Sequence, residues 1–477
     1  MPEKKLTRKN LTKLNYGIIH SQVGFADGVS IVMKQIEQVM VQKIKVPKSN
    51  IFYLVGKAKT PNPYTRQHKV IWHKYKDNKL FDKNFSEGLG GELSEKIEKA
   101  IELAKEKIRE FVNDKNIDVI IAHNTSHPVN FVLALALSRY YRDEKANNKK
   151  TPKYILWWHD SHLERERYLK PTKDIWRYLL QGVPGEFVDY IIFINSLQFE
   201  GAQKYIHEID KISPGYSNHL LDNHCVVYNT ASRIINTVED LENKYNERTE
   251  RFLKEYKINE LLKNNNLKLN DTQFVLQHTR IIPRKRIDFA LEYSYELFSK
   301  LKKEKLKKGM IFIISGYHGD ESGNYKRKLI RLNKKLSEKY KTNKFFLILS
   351  EDKKNTDIHF DEIPILIRKL GGISTYFSEI EGFGNNLLEV LAAGLIPAVY
   401  TYPVFKKDLA KFKFKTIALN KFEITSQSIN DMIKVIKSDR TKTIWANQNL
   451  EILRKKFSHE IIAPKLKRAI IRKRNQE

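Results

Sequence analysis

Short runs of β-branched and aromatic residues alternate with longer amphipathic stretches along the chain. That alternation is the pattern of parallel strands joined by crossover helices, since parallel neighbours cannot be linked by a tight turn. The chain therefore reads as α/β throughout. In the first half the expected strands are Asn15–Ile19, Ile51–Val55, Val70–His73, Asp118–Ala122, Tyr154–Trp158, Tyr190–Asn195 and Cys225–Tyr228, enough for one full sheet. A second series comprises Phe274–Gln277, Met310–Ser315, Phe345–Leu349, Ser374–Phe377, Pro397–Tyr400 and Thr416–Leu419. Between them, residues 231–270 are polar and highly charged and read as a solvated helix with a turn-rich connector. This predicts two doubly wound, Rossmann-like domains facing across a cleft. Their expected limits are 1–265, including the linker helix, and 266–444, followed by a C-terminal helical segment over 445–477.

A length of 477 residues with 41% hydrophobic and 30% charged content supports large buried cores and excludes a disordered or collagen-like chain. Subtracting 56 acids from 86 bases leaves a formal charge of +30, a field that would concentrate phosphorylated, nucleic-acid or anionic-lipid partners. Compositional drift toward Lys explains the same charge without any partner. The single cysteine, Cys225, cannot form an internal disulfide or a Cys-based metal cluster. The basic start MPEKKLTRKN is followed by no apolar stretch of signal-peptide length, and no run of about 18 apolar residues occurs anywhere. A cytoplasmic location is expected, with peripheral contact to an anionic membrane left open.

Three segments carry chemistry. In GFADGVSIVMKQI, Gly24 and Gly28 follow a strand and precede a helix with Ile31, Val32, Ile36, Val39 and Met40 on one face. Such a junction suits either a plain strand-to-helix turn or phosphate or sugar oxygens at a helix start. In QHTRIIPRKRIDFALEYSYEL, Arg280, Arg284, Lys285 and Arg286 surround another strand-to-helix junction. Cations oppose the macrodipole at a helix N-terminus, so an anion such as a diphosphate is expected among them. In FSEIEGFGNNLLEVLAAGLIPAVYTYPVF, Glu381 and Glu389 are separated by seven residues, the first in a loop and the second a turn into a helix. Between them Gly382, Phe383, Gly384, Asn385, Asn386 and Leu387 offer backbone donors to phosphate oxygens. The last two segments lie at the carboxyl ends of strands in the second domain, where a nucleotide diphosphate sugar would fit.

These motifs resemble those of retaining glycosyltransferases of family 4, on the GT-B fold. There a Glu, seven residues, Glu motif enters a helix of the C-terminal domain, matched here by Glu381 and Glu389, and an Arg and a Lys five positions apart bracket the donor phosphates, matched by Arg280 and Lys285. QHTRIIPRKRID, ISGYHGDESGNY, EGFGNNLLE and DGVS look most similar to the branch of mannosylglucosylglycerate-type synthases. The resemblance implies that His159 and Asp160 of WWHDSHLERERY, and His123 and Asn124 of IIAHNTSHPVN, belong to the first domain's side of the site, with His159 near the transferred sugar. It also implies that the helical pattern from Leu450 to Ile471 crosses back to the first domain, bending at KKFSHEIIAPKL, and that Gly28 lies in the first domain's ligand loop. AAGLIPAVYTY departs from the family by placing Leu395 and Ile396 between Gly394 and Pro397.

The expected activity is transfer of a hexose from a UDP- or GDP-sugar to a small or anionic acceptor, with retention of configuration. Glu381, His159, Arg280 and Lys285 would be catalytic, and Gly28, Gly384, Asn385, Asn386, Leu387 and Glu389 would contribute to donor binding. No Asp-x-Asp site, His pair at ligand spacing within a helix or cysteine cluster is present, so no cofactor is expected beyond the donor and metal independence is anticipated. A DNA-modifying glucosyltransferase or other nucleic-acid-binding protein, and an epimerase or non-catalytic sugar-nucleotide sensor, are the alternatives from other classes.

Overall fold

The computed structural model describes residues 10–472, apart from 26, 213, 217, 232–233, 240, 242–244, 318–322 and 354–355. The HGDES stretch of ISGYHGDESGNY, Ala26 of ADGVS and the basic start at 1–9 thus lie outside the described residues.

Among the described residues, thirteen strands form two all-parallel sheets. The first contains β1 (Tyr16–Val23), β2 (Ile51–Ala58), β3 (Thr65–Gln67), β4 (Val119–His123), β5 (Lys153–Trp158), β6 (Tyr190–Phe193) and β7 (His224–Val226). Its order is β3-β2-β1-β4-β5-β6-β7. The second contains β8 (Thr272–Gln277), β9 (Gly309–Ile314), β10 (Phe345–Leu349), β11 (Ile373–Tyr376), β12 (Pro397–Tyr400) and β13 (Ile417–Leu419), ordered β10-β9-β8-β11-β12-β13. Central strands such as β4, β8, β9 and β11 are buried along their whole length, as parallel sheets covered by helices on both faces must be. The strand order reverses direction between β1 and β4 in one sheet and between β8 and β11 in the other. Doubly wound sheets place their ligands outside the carboxyl ends of strands at such reversals.

One expected strand is displaced. Val70–His73 does not pair; Lys69–Ile71 forms a 3-10 turn, and Thr65–Gln67 is the edge strand instead. The apolar run still feeds the core, with Val70 and Ile71 buried, but it crosses β2 rather than lying beside it. The crossing is close: a Cβ on Gly56 of β2 would come within 2.2 Å of the Trp72 backbone.

The chain divides into two compact units, 1–229 with 459–477, and 230–458. The division differs from the expected limits at both ends. The charged stretch after 230 includes helices Asn246–Glu255 and Ile258–Asn264, whose Phe252, Leu253, Tyr256, Ile258 and Leu262 share a core with Phe274, Leu276, Ile311 and Ile313. Charge on the opposite face had hidden this apolar face. At the other end, helix Asp439–Lys456 stays in the second unit, with Leu450 packed near Ile235, Leu241 and Ile365. Only helix His459–Ile471 belongs to the first unit, and the break falls at Phe457 and Ser458, inside the expected bend. Among the described residues, no helix is long and apolar enough to cross a membrane.

Candidate active site

In the second unit β8 and β11 are hydrogen-bonded neighbours, so residues 96 positions apart meet on adjacent loops. After β8 the chain enters a 3-10 turn at Pro283–Lys285, whose proline suits the first position because its missing N–H has no helical partner there. The turn is tied to the β11 loop by Glu379 N–H donating to the Arg284 carbonyl at 2.8 Å and by Arg284 Nη1 donating to the Ile380 carbonyl at 2.5 Å. These bonds deliver Lys285 to Glu381. The Lys285 ammonium donates to Glu381 Oε1, which also accepts from the Tyr376 hydroxyl at 2.6 Å, while Arg284 lies 3.8 Å from Oε2.

Both members of this pair are buried. Burial lowers the Lys285 ammonium to about 8, against the raising effect of Glu381 and with Arg284 and Arg280 adding to the fall. Burial pushes the Glu381 carboxyl upward, but the charges of Lys285 and Arg284 and the hydrogen bonds from Lys285 and Tyr376 overcome it and hold the group at about 2. At neutral pH the site thus keeps a fixed ammonium and a fixed carboxylate side by side.

The four-cation cluster is partly neutralised by the protein itself. Arg286 lies 3.6 Å from Asp288 and 3.8 Å from Glu379 and rests on the Phe422 ring, while Arg284 and Lys285 share Glu381. The following helix, Ile287–Lys303, is already capped, because the Tyr325 hydroxyl accepts from the N–H groups of Ile287 and Asp288 and donates to Asp288. An incoming anion therefore has no place at that helix start. Arg280 differs: it is exposed, and its side chain forms no hydrogen bond or ion pair among the described residues.

Helix Asn385–Ala392 presents the opposite case. Its N-cap is Gly384 at φ +107°, and no side chain caps it. That conformation favours glycine, and a Cβ would also meet the Tyr402 hydroxyl at 2.1 Å. Tyr402 in turn donates to the Phe383 carbonyl at 2.9 Å, which holds the loop against β12's continuation. Asn385 and Asn386 are half-buried at the helix start, and Leu387 is buried beneath it. One turn further, Glu389 Oε2 accepts from His278 Nε2 at 3.0 Å. Glu381, Lys285, Arg280, Gly384, Asn385, Asn386, Leu387 and Glu389 thus occupy adjoining loops and one helix start at a single sheet edge.

His159 and Gly28 belong to the other unit. Gly28 is the exposed first residue of helix Gly28–Val39, and the anion at this N-terminus is the protein's own. Asp27 accepts from the N–H groups of Val29 and Ser30 at 3.1 and 3.0 Å, and from Ser30 Oγ and Gln22 Nε2. The junction is a strand-to-helix turn capped by its own Asp27 side chain, the plainer of the two readings that its glycines allowed.

At the β1/β4 reversal of the first sheet, the ends of β1, β4 and β5 bring histidines together. His20 Nδ1 lies 2.9 Å from the His123 carbonyl, which can only accept, so that nitrogen carries the proton. His123 Nδ1 lies 2.9 Å from His159 Nε2, and both rings stack with Trp157. Gln198 holds the His159 carbonyl at 2.8 Å. Burial lowers the His159 imidazole to about 3, with His20 adding to the fall, and burial likewise lowers His123 and His20. Near pH 7 these rings are neutral, offering N–H donors and lone pairs rather than charge. Asp160 is bound by Arg165 and does not join them. Asn124, expected beside His123, takes a left-handed conformation at φ 57° and turns the chain toward Asn130, whose Nδ2 donates to the Asn124 carbonyl at 2.8 Å.

Sequence reasoning did not single out His20, His278, Tyr376 or Tyr402. His278 stood in the quoted QHTR segment, one residue past a predicted strand, and that position was the available signal.

Two doubly wound parallel sheets, each with its own reversal of strand order, define the GT-B class, and the whole-chain comparisons agree. A solved structure described as trehalose-6-phosphate from E. coli bound with UDP-2-fluoro glucose covers 95% of this chain and 99% of its own at TM-score 0.60 and 11% identity, which establishes the fold. More particularly, the chain is similar to the mannosylglucosylglycerate synthases of Petrotoga mobilis, 26% identical over 427 residues covering 85% of this chain and 86% of that protein, and of Thermotoga maritima, 25% identical over 423 residues covering 85% of each. No protein-family model matches. The homologues are glycosyltransferases, and the resemblance read from the motifs extends over most of the chain.

Proposed function

We propose that the protein is a retaining glycosyltransferase that moves a hexose from a UDP- or GDP-hexose to a small, glycerate-bearing acceptor. The observation that carries this reading is the buried Lys285–Glu381–Tyr376 cluster beside the uncapped helix start and the unpaired Arg280. In glycosyl transfer, negative charge grows on the leaving diphosphate while the sugar becomes oxocarbenium-like, so fixed cations and N–H donors at the phosphates and a fixed carboxylate at the sugar are the useful groups. Arg280, Lys285 and the N–H groups around Gly384–Asn386 take the diphosphate, while Leu387 N–H donates to the Gly384 carbonyl at 3.0 Å and shapes the helix start. Glu381 takes sugar hydroxyls and Glu389 the ribose. His159, in the first unit, is assigned to the transferred sugar.

The step breaks the bond from the anomeric carbon to the phosphate oxygen and forms one to the acceptor oxygen on the same face. The acceptor's proton passes to the departing phosphate oxygen, so no separate protein base is needed. The two side-chain cations supply the charge compensation that a divalent metal supplies elsewhere, and the reading expects turnover to survive chelation with EDTA. The glycerate-bearing acceptor is suggested by the name of the relatives. The neutral imidazoles around His159 would meet its oxygens with hydrogen bonds and leave any ion pair to other groups.

The test is a thermal-shift and turnover series with UDP- and GDP-hexoses and glycerate-bearing acceptors, with the product's anomeric configuration read by NMR. Glu381→Ala or Arg280→Ala, in folded protein, should lower turnover by about 100-fold or more. Absence of any stabilisation by nucleotide diphosphates, or inversion of configuration, would overturn the reading.

A further inference from the structure

Glu389 does not stand alone at the end of its helix turn. His278, the first residue after β8, is fully buried and points Nε2 at Glu389 Oε2, 3.0 Å away, and Nδ1 at Ser315 Oγ, 2.8 Å away on the loop after β9. The Phe360 ring lies flat on the imidazole, with centroids 4.1 Å apart and an interplanar angle of 20°. The ring is thus fixed at both nitrogens and on one face.

This arrangement settles the tautomer. A carboxylate oxygen can only accept, so Nε2 carries the proton that Glu389 receives. In the neutral ring Nδ1 is then an acceptor, and the Ser315 hydroxyl donates to it. The hydroxyl has one alternative acceptor, the Gln277 carbonyl at 3.5 Å, which is the longer and weaker contact. Such a chain of hydroxyl, imidazole and carboxylate aims a carboxylate in the way that outer partners orient metal-binding or catalytic ligands.

We propose that His278, oriented by Ser315, is the positioning residue that aims the Glu389 carboxylate at the ribose hydroxyls of the donor, and that it thereby sets the preference for a ribonucleoside over a deoxyribonucleoside diphosphate. The inference rests on the assignment of Glu389 to the ribose. His278 acts through Glu389 and touches no substrate atom. His278 fixes where Glu389 Oε2 lies and so constrains the plane in which the carboxylate meets a sugar hydroxyl. Without the His278 donor that constraint is lost and the hydroxyl meets a less well aimed acceptor. A charge-assisted hydrogen bond of this kind accounts for about a tenfold preference or more.

The experiment measures, by calorimetry, the affinities of the full-length protein for UDP and GDP and for their 2′-deoxy and 3′-deoxy counterparts. The ratio of ribo to deoxy affinity is the readout, because a general loss of stability or packing lowers both affinities and leaves it unchanged. The wild-type ratio should be about tenfold or more, and Glu389→Ala should bring it close to one. His278→Leu, which has no donor, should reduce it to within about threefold of the Glu389→Ala value. His278→Gln, whose amide nitrogen reaches the position of Nε2, should keep most of it. Ser315→Ala, which removes the hold on Nδ1 and leaves the ring freer to turn away from Glu389, should give an intermediate ratio and serves as the deciding variant if His278→Leu does not fold. A wild-type ratio in both His278→Leu and Ser315→Ala, with the ratio collapsed in Glu389→Ala, overturns the role of His278 and leaves the ribose assignment standing. A wild-type ratio in Glu389→Ala overturns the ribose assignment itself.

Discussion

Lys285 keeps its charge in the folded protein only below about pH 8, because burial favours the neutral amine more than Glu381 favours the ammonium. On the donor reading, affinity for a nucleoside diphosphate should be constant from pH 6 to 7 and fall as pH rises through 8, measured by calorimetry at fixed ionic strength. The stability change has the opposite sign. A lysine whose folded pKa is depressed binds fewer protons in the folded state, so unfolding free energy contributed by this group rises between pH 8 and the ordinary lysine range. Weakened binding alongside unweakened folding over the same interval would therefore point to Lys285 and not to general alkaline unfolding. Glu381 acts at the other end: its pKa of about 2 gives stability that is present above the ordinary carboxylate range and lost as pH falls toward 2. Of these residues, Glu381, Lys285 and Glu389 were legible because their spacing is a motif. Tyr376 and Tyr402 were not, since a tyrosine at or just past the end of a buried strand looks like any core residue until its hydroxyl is seen to hold Glu381 or the Phe383 carbonyl.

Loops do more at this site than the elements they join. The β11 loop is held from below by Arg284 and from above by Tyr402, and Gly384 turns it into the helix start. A side chain at position 384 would be strained by its backbone and would strike Tyr402. Gly384→Ala should cost about 2 kcal/mol of unfolding free energy, read from denaturant titration, and should weaken nucleotide binding at least tenfold. Combining it with Tyr402→Phe should recover only part of the stability, because removing the hydroxyl ends the collision but leaves the positive φ. Full recovery would show that collision alone matters. At this scale the sequence carried the strands well, since parallel strands are short, wholly apolar and bounded by helical pattern. It failed at the sheet's edge: β3 is three polar-leaning residues with no alternation to read, while the adjacent VIWH run has a strand's composition and is used to cross Gly56. It also missed that three of the four cations after β8, Arg284, Lys285 and Arg286, are met by acids: Asp288 is near in the chain, but Glu379 and Glu381 are close only through the sheet.

Connectivity decides how the whole molecule responds to damage. The first unit is closed by the last helix of the chain, His459–Ile471, which buries Ile462, Ala463, Leu466, Ala469 and Ile470. Lys465 Nζ donates to the Val226 carbonyl at 2.6 Å, Arg472 Nε donates to Asn223 at 3.0 Å, and Lys43 pairs with Glu460. The family resemblance implied that this tail bends at KKFSHEIIAPKL and crosses back, and the change of unit falls inside that segment, after Ser458; the basic composition by itself carries no sign of it. Each buried aliphatic side chain lost to solvent forfeits about 1.5 to 3 kcal/mol, so ending the chain at Ser458 removes a large part of a typical domain's net stability from the first unit alone. Hydrogen exchange followed by mass spectrometry should then show protection falling in β5, β6, β7 and helix Gly28–Val39, against which the missing helix packs, while β8, β9 and β11 keep theirs. Leu466→Ala should produce the same one-sided pattern at a cost of about 3 kcal/mol. On the donor reading, the truncated protein should still bind a nucleoside diphosphate with little change, since Arg280, Lys285, Glu381 and Glu389 all belong to the unit that stays folded, and it should lose transfer. Equal loss of protection in both sheets would mean that the two units fold as one cooperative body and that the last helix supports more than the unit it covers.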